Sequence, residues 1–191
     1  FIDFKSASTN KFIVGHFGVM NHLRNPSKLW ASLDDLCNEN DDFNKKLEIR
    51  LSGNIDQKIL DEIKAFPNLK SKLVFLGYLK HSEVIKEYSK ANLLLLLLFN
   101  SKSGEGNYPG KIFEYIATKK PILSFGPNES DVKNFLKKGY GFYHSYLTES
   151  DSLKENILNI FNNENDKNDI DSSIYSRKFL TQKLHQLIEK I

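Results

Sequence analysis

The chain is poor in the residues that staple or clamp small proteins. It has a single cysteine, Cys37, among 191 residues. One thiol excludes an intrachain disulfide and a cysteine-built zinc site, and without a partnered histidine it reads as packing on a helix. Arginine is nearly as scarce. Of the 27 basic residues only Arg24, Arg50 and Arg177 are Arg, so a rigid guanidinium fork has few places to sit. There is no block of consecutive basic residues, and the net charge is only +3, which argues against a nucleic-acid partner. Long apolar runs are missing too. The longest, Leu93 to Phe99, is seven residues. That is far too short for a membrane span and suits a strand buried on both faces of a parallel sheet.

What is present alternates. Lys11 to Gly15 reads as a short strand ending in glycine. Asn25 and Pro26 then offer an N-cap and a first-turn proline for a helix running to about Asn38. Leu47 to Gly53 alternates like a strand. Ile59, Leu60, Ile63 and Phe66 mark a helix that Pro67 stops. Leu73 to Gly77 is a third strand, and Val84, Ile85 and Tyr88 lie on the helix after it. Asn92 to Phe99 is the fourth, and Pro121 to Phe125 the fifth. A helix through Val132, Phe135 and Leu136 leads to a short sixth strand at Gly141 to Tyr143. Two helices end the chain, Leu153 to Phe161 and Ile174 to Ile188, the second capped by Asp171 or Ser172. Such repeated strand-helix units predict a doubly wound α/β domain with a parallel, Rossmann-like sheet. The sheet core is expected over about 11–145, and the terminal helices over about 150–191. Ligands of such sheets bind beyond the carboxyl ends of the strands. The loops after Gly15, Gly77, Phe99 and Phe125 are therefore where a site is expected.

The loop after the fourth strand is the most informative. It carries Gly104, Gly106 and Gly110 immediately before a helix. Its glycines let backbone approach a ligand closely. Backbone amides of Gly110, Lys111 and Ile112 at a helix start, with the Lys111 charge, suit a phosphate. Glu114, one turn further on, is placed to accept two hydrogen bonds from a vicinal diol. An ordinary loop with a dipole-complementing glutamate accounts for the same letters. A dinucleotide fingerprint does not, because Gly110 comes one residue too late after Gly104 and Gly106, and the loop follows the wrong strand.

The stretch Gly106 to Leu123 resembles the donor-binding motif of retaining GT-B glycosyltransferases, the family-four-like group 1 enzymes that include bacterial surface-polysaccharide relatives. That motif has two glutamates, a small residue, and then a proline that opens a strand. Glu114 matches the second glutamate, Ala117 the small residue and Pro121 the proline. The first glutamate would fall at position 106, where this chain has Gly106. Glu105 stands one residue early. The resemblance implies the carboxy-terminal, donor-binding half of a GT-B fold, with an amino-terminal acceptor domain absent from this chain. The donor would be a nucleotide sugar and the acceptor a polysaccharide or lipid-linked saccharide. The isolated domain is expected to transfer no sugar.

The resemblance further implies that Gly15, His16 and Arg24 hold the diphosphate. It also implies that the backbone at Gly77, with Tyr78 or Leu79, reads the base. No catalytic residue is assigned within the domain, and neither a cofactor nor a metal is expected. Asp169-Ile170-Asp171 imitates a metal motif of another glycosyltransferase fold but has no strand to present it. A cytoplasmic setting is expected, with peripheral attachment of the full enzyme to the inner membrane face left open. A nucleotide-sugar epimerase domain and a non-catalytic nucleotide-binding module are the alternatives. A receiver-like module is disfavoured, because Gly15 and Gly53 offer no acidic residue after the early strands.

Overall fold

The structure, a computed structural model, describes residues 10–163 and 172–189. Six strands, β1 (Phe12–Phe17), β2 (Leu47–Ser52), β3 (Leu73–Phe75), β4 (Leu93–Leu97), β5 (Ile122–Gly126) and β6 (Gly141–Ser145), form one sheet. Every pairing is parallel, and the order is β3-β2-β1-β4-β5-β6. The chain winds outward from β1 to β3, then returns to lay β4 against the other side of β1. That reversal opens a crevice at the carboxyl ends of β1 and β4, the place where such sheets take ligands.

The leucine run shows why the sheet is covered on both faces. Leu93, Leu95 and Leu97 belong to one apolar cluster; Leu94, Leu96 and Leu98 belong to the other. Side chains alternate along a strand, so only a two-sided core can bury all six. Each contributes roughly 1.5–3 kcal/mol by leaving water. The first cluster is closed by α1 (Ser27–Glu39), α2 (Asp41–Lys46), α3 (Gln57–Ala65) and α7 (Ser150–Phe161). The second is closed by α4 (His81–Lys90), α5 (Lys111–Ala117) and α6 (Asp131–Leu136).

Several boundaries differ from expectation. β1 runs two residues past Gly15, so Gly15 lies within the strand and not in the loop. A Cβ there would stand 2.7 Å from the Phe17 ring, so the missing side chain makes room for Phe17 to pack edge-on to Tyr88. Pro26 is itself the cap of α1, and Asn25 does not cap it. The Asn25 side-chain oxygen instead accepts from Trp30 Nε1 at 2.8 Å, and its nitrogen donates to Glu62 at 2.7 Å. Helix α2 was not anticipated, although its signals are local: the Asn40 side chain accepts from Phe43 N, with two aspartates in the first turn and two lysines in the last.

At the other end, α8 spans Arg177–Ile188, and its cap is Ser176. A 3-10 turn, Ser172–Tyr175, precedes it. Of the two terminal helices, α7 buries Leu153, Ile157 and Ile160 while α8 buries none of its residues. The Asp169-Ile170-Asp171 segment lies outside the described residues. No described helix is long and apolar enough to cross a membrane.

Candidate functional site

At the carboxyl ends of β1 and β4 the structure gathers His16, Arg24 and Lys111. Lys111 opens α5 and reaches back across the crevice, donating from Nζ to the Phe17 carbonyl at 2.7 Å. Gly18 makes this reach possible. A Cβ on Gly18 would lie 2.4 Å from the Lys111 ammonium, and its φ of +154° is one that side chains rarely adopt. The glycine of the first loop is thus Gly18, where the sequence pointed to Gly15. Burial first, then the nearby Arg24 charge, lower the Lys111 pKa to about 8 against the opposing pull of Glu114.

Arg24 ends a 3-10 turn, His22–Arg24, whose N-cap is Asn21. Its guanidinium carbon lies over the Phe99 ring, 3.7 Å from the centroid, a cation–π contact that ties it to the loop after β4. Its Nε is buried without a hydrogen-bond partner. Among the described residues neither Arg24 nor Lys111 forms an ion pair. Arg50, by contrast, is neutralised by Glu48 and Glu87. Two cations drawn together, partly desolvated and without a carboxylate between them make a seat for an anion.

His16 does not join them as a third charge. It is buried at 1% exposure, with Nδ1 3.2 Å from the Leu95 carbonyl and Nε2 3.3 Å from that of Val19. Burial first, then the Lys111 charge, lower its pKa to about 3. The ring is neutral at physiological pH and donates to one of the two carbonyls. The expectation of a basic phosphate ligand is corrected accordingly: His16 braces β1 against β4 beneath the site.

Glu114 lies one helical turn beyond Lys111. Tyr88, 2% exposed on α4, donates its hydroxyl to Glu114 Oε2 at 3.1 Å, and His81 Nε2 approaches Oε1 at 3.2 Å. Tyr88 packs edge-on against both Phe17 and Tyr115, so the carboxylate is held from a rigid aromatic base. The carboxylate side chain is 39% exposed, and its remaining lone pairs can accept from a ligand. Sequence reading placed Tyr88 only as a helix residue and did not single out His81. The spacing of His81 and Tyr88, seven positions apart on one helix face, was the available signal.

Other expectations are redistributed. The Ile112 amide is already bonded to the Pro109 carbonyl at 3.0 Å, and the side chain is core, so Ile112 is no phosphate donor. Gly110 caps α5, whose seven residues give it a modest end charge, leaving Lys111 as the main cation. At Gly77 the φ is +65°, and its carbonyl accepts from Gly53 N at 2.8 Å and Ser52 Oγ at 2.9 Å. That pins the turn between β3 and α4. Tyr78 projects from it at 87% exposure, and Leu79 is half-buried. Glu105 is exposed and lines a shallow cavity of ≈ 160 Å³ with Asn100, Lys102, Asn128 and Tyr146; neither Lys111 nor Glu114 borders it. No group of three or more potential metal ligands comes together among the described residues.

No protein-family model and no curated sequence matches this chain. Solved structures do. The crystal structure of TarM superposes with a TM-score of 0.65 at 16% identity, over 97% of this chain and 37% of that one. Sucrose-phosphate synthase from Thermosynechococcus elongatus gives 0.67 at 14% identity, over 94% and 45%. The pneumococcal O-GlcNAc transferase GtfA, solved with UDP and GlcNAc, gives 0.63 at 16%, over 97% and 36%. The chain has the fold of a GT-B carboxy-terminal domain. It spans between 36% and 45% of the length of these three neighbours. In this fold the cation pair sits at the topological switch point, at the carboxyl ends of β1 and β4.

Proposed function

We propose that this chain is the donor-binding domain of a glycosyltransferase and that it holds the diphosphate of a nucleotide sugar on Arg24 and Lys111. The observation that carries this reading is the pair itself: two cations with no carboxylate partner, at the switch point of a doubly wound sheet. A diphosphate supplies the missing negative charge, and the buried Arg24 Nε is left to donate to it. Glu114, oriented by Tyr88, accepts from the ribose hydroxyls one turn away. The turn at Gly77, with Tyr78 and Leu79, lies just before the α4 start that carries His81, and is suited to cover the base. One neighbour of this fold, the pneumococcal GtfA, was solved in complex with UDP and GlcNAc, a ligand pair of this chemistry.

The sugar would be passed to a saccharide acceptor, polysaccharide or lipid-linked, of a bacterial surface. Transfer requires donor and acceptor held together out of water. This domain supplies the donor wall, and an opposing amino-terminal domain the other. Calorimetric titration with a panel of nucleosides, nucleoside monophosphates and nucleoside diphosphates tests the reading. Diphosphates should bind tightest and nucleosides weakest. Equal affinity for nucleoside and diphosphate would remove the phosphate seat and the reading with it.

A further inference from the structure

The loop that leads into Lys111 gains no side-chain packing at its two glycines. A Cβ built on Gly106 or Gly110 would meet nothing within 4 Å. Between them stands one large side chain, Tyr108. Its ring stacks on Phe113 of α5 at 5.8 Å and meets Phe135 of α6 edge-on at 5.5 Å. Those two rings are in turn held by a residue from far along the chain. Tyr175, in the 3-10 turn before α8, lies 5.7 Å from Phe113 and 5.4 Å from Phe135. Phe135 also stacks almost flat on Tyr140 at 4.7 Å, and the Tyr140 hydroxyl bonds that of Tyr175 at 3.1 Å. The five rings form one continuous cluster. One end is the Gly106–Gly110 loop; the other is the segment after α7.

We propose that Tyr175 is a positioning residue for the donor site: by fixing Phe113 and Phe135 it fixes Tyr108, and so sets where the Gly106–Gly110 loop meets a phosphate-bearing ligand. The inference rests on the donor-binding reading above. The physical ground is that a loop flanked by two unpacked glycines has no side-chain restraint of its own. Beyond the backbone bonds of Asn107 N to Gly104 O and Asp131 N to Glu105 O at its start, its geometry is set by the one ring it inserts among others. Rings placed edge-on and offset resist sliding, and each pair contributes a definite orientation as well as buried area. Tyr175 touches no ligand. It acts through Phe113, which shares α5 with Lys111 and Glu114, and through Phe135.

The test compares Tyr175→Ala, Tyr175→Phe and Tyr108→Leu with the parent, all checked first for cooperative unfolding. Hydrogen exchange is read at the Asn107 and Ile112 amides, which close the loop on Gly104 and Pro109. Tyr175→Ala should speed exchange at both while leaving β1 and β2 protected, and Tyr175→Phe should restore it, because the rings remain. Nucleoside diphosphate affinity should fall about 3- to 10-fold in Tyr175→Ala, the scale of one aromatic pair. Tyr108→Leu should give the same loss, and the double variant no more than either, since both act through one cluster. Unchanged exchange in Tyr175→Ala overturns the clamp. Faster exchange with parental affinity overturns the positioning role. Should Tyr175→Ala fail to fold, Tyr108→Leu, on the exposed end of the cluster, decides by the same two readouts. If the parent binds no nucleoside diphosphate, the donor-binding reading fails by itself, while the exchange comparison still judges the clamp.

Discussion

A lysine whose pKa is held near neutrality should make diphosphate binding pH-dependent in a window that the structure names. In the free domain burial and Arg24 bring Lys111 to about 8 from an ordinary 10.5. An anion beside it stabilises the charged form, so the pKa in the complex is higher than in the free domain. The contribution of Lys111 is therefore fully present below pH 8 and is lost as the pH rises from 8 toward the pKa of the complex. If the bound value returns to the ordinary lysine range, linkage gives an affinity about tenfold weaker at pH 9 than at pH 7. The ligand does not confuse the reading, because a terminal phosphate ionises near pH ~6 and is almost fully charged by pH 7. Nor does His16, held neutral across the range, or Arg24, whose guanidinium stays charged. Calorimetry of a nucleoside diphosphate at half-unit steps from pH 7 to pH 9, in buffers of different ionisation enthalpy, measures both the affinity and the proton taken up. Lys111→Met should bind about 1.5–3 kcal/mol more weakly at pH 7, the worth of a charged hydrogen bond, and show no slope. A flat profile in the parent, or a slope that survives in Lys111→Met, would refute the placement of Lys111 against the phosphate.

Further outcomes follow from the same geometry. Glu114→Ala should weaken nucleoside diphosphate binding by about 1.5–3 kcal/mol but leave inorganic pyrophosphate unchanged, since only the ribose contact is lost; calorimetry with both ligands decides. Gly18→Ala should cost about 1–2 kcal/mol of stability through its positive φ and should also displace the Lys111 ammonium, so diphosphate affinity falls beyond what the melting shift explains. His16 is held neutral, so the unfolded chain takes up its proton first on acidification. Stability should fall below pH 6.5 by about 1.4 kcal/mol per pH unit from this residue, and His16→Asn should remove that slope in denaturant titrations. Leu95→Ala, opening a cavity in the first cluster, should destabilise by about 2–5 kcal/mol, read from the urea midpoint.

The order of elements was legible in the chain because each rests on a local pattern. Seven consecutive apolar residues suit a strand covered on two faces, and Leu93 to Leu98 divide between the two clusters accordingly. The spacing of Lys111 and Glu114 depends only on helical periodicity, and both fall on α5 as expected. The motif around them pointed to a GT-B domain, and the superposed neighbours have that fold.

Other features depend on which strands become neighbours, and no local pattern carries that information. Gly15 read as the end of β1 because glycine commonly ends strands; the strand continues because β2 pairs with it through Phe17. His16 read as a basic residue, and its neutrality follows from burial beside β4, whose Leu95 is remote in sequence. The contact of Arg24 with Phe99, and of Lys111 with the Phe17 carbonyl, exists only once β4 has returned to the side of β1. The residue types of the site were thus set by the sequence. Their charges and meeting points were decided by the crossover, because solvation and the neighbouring charges fix a pKa, and both are properties of the packed sheet.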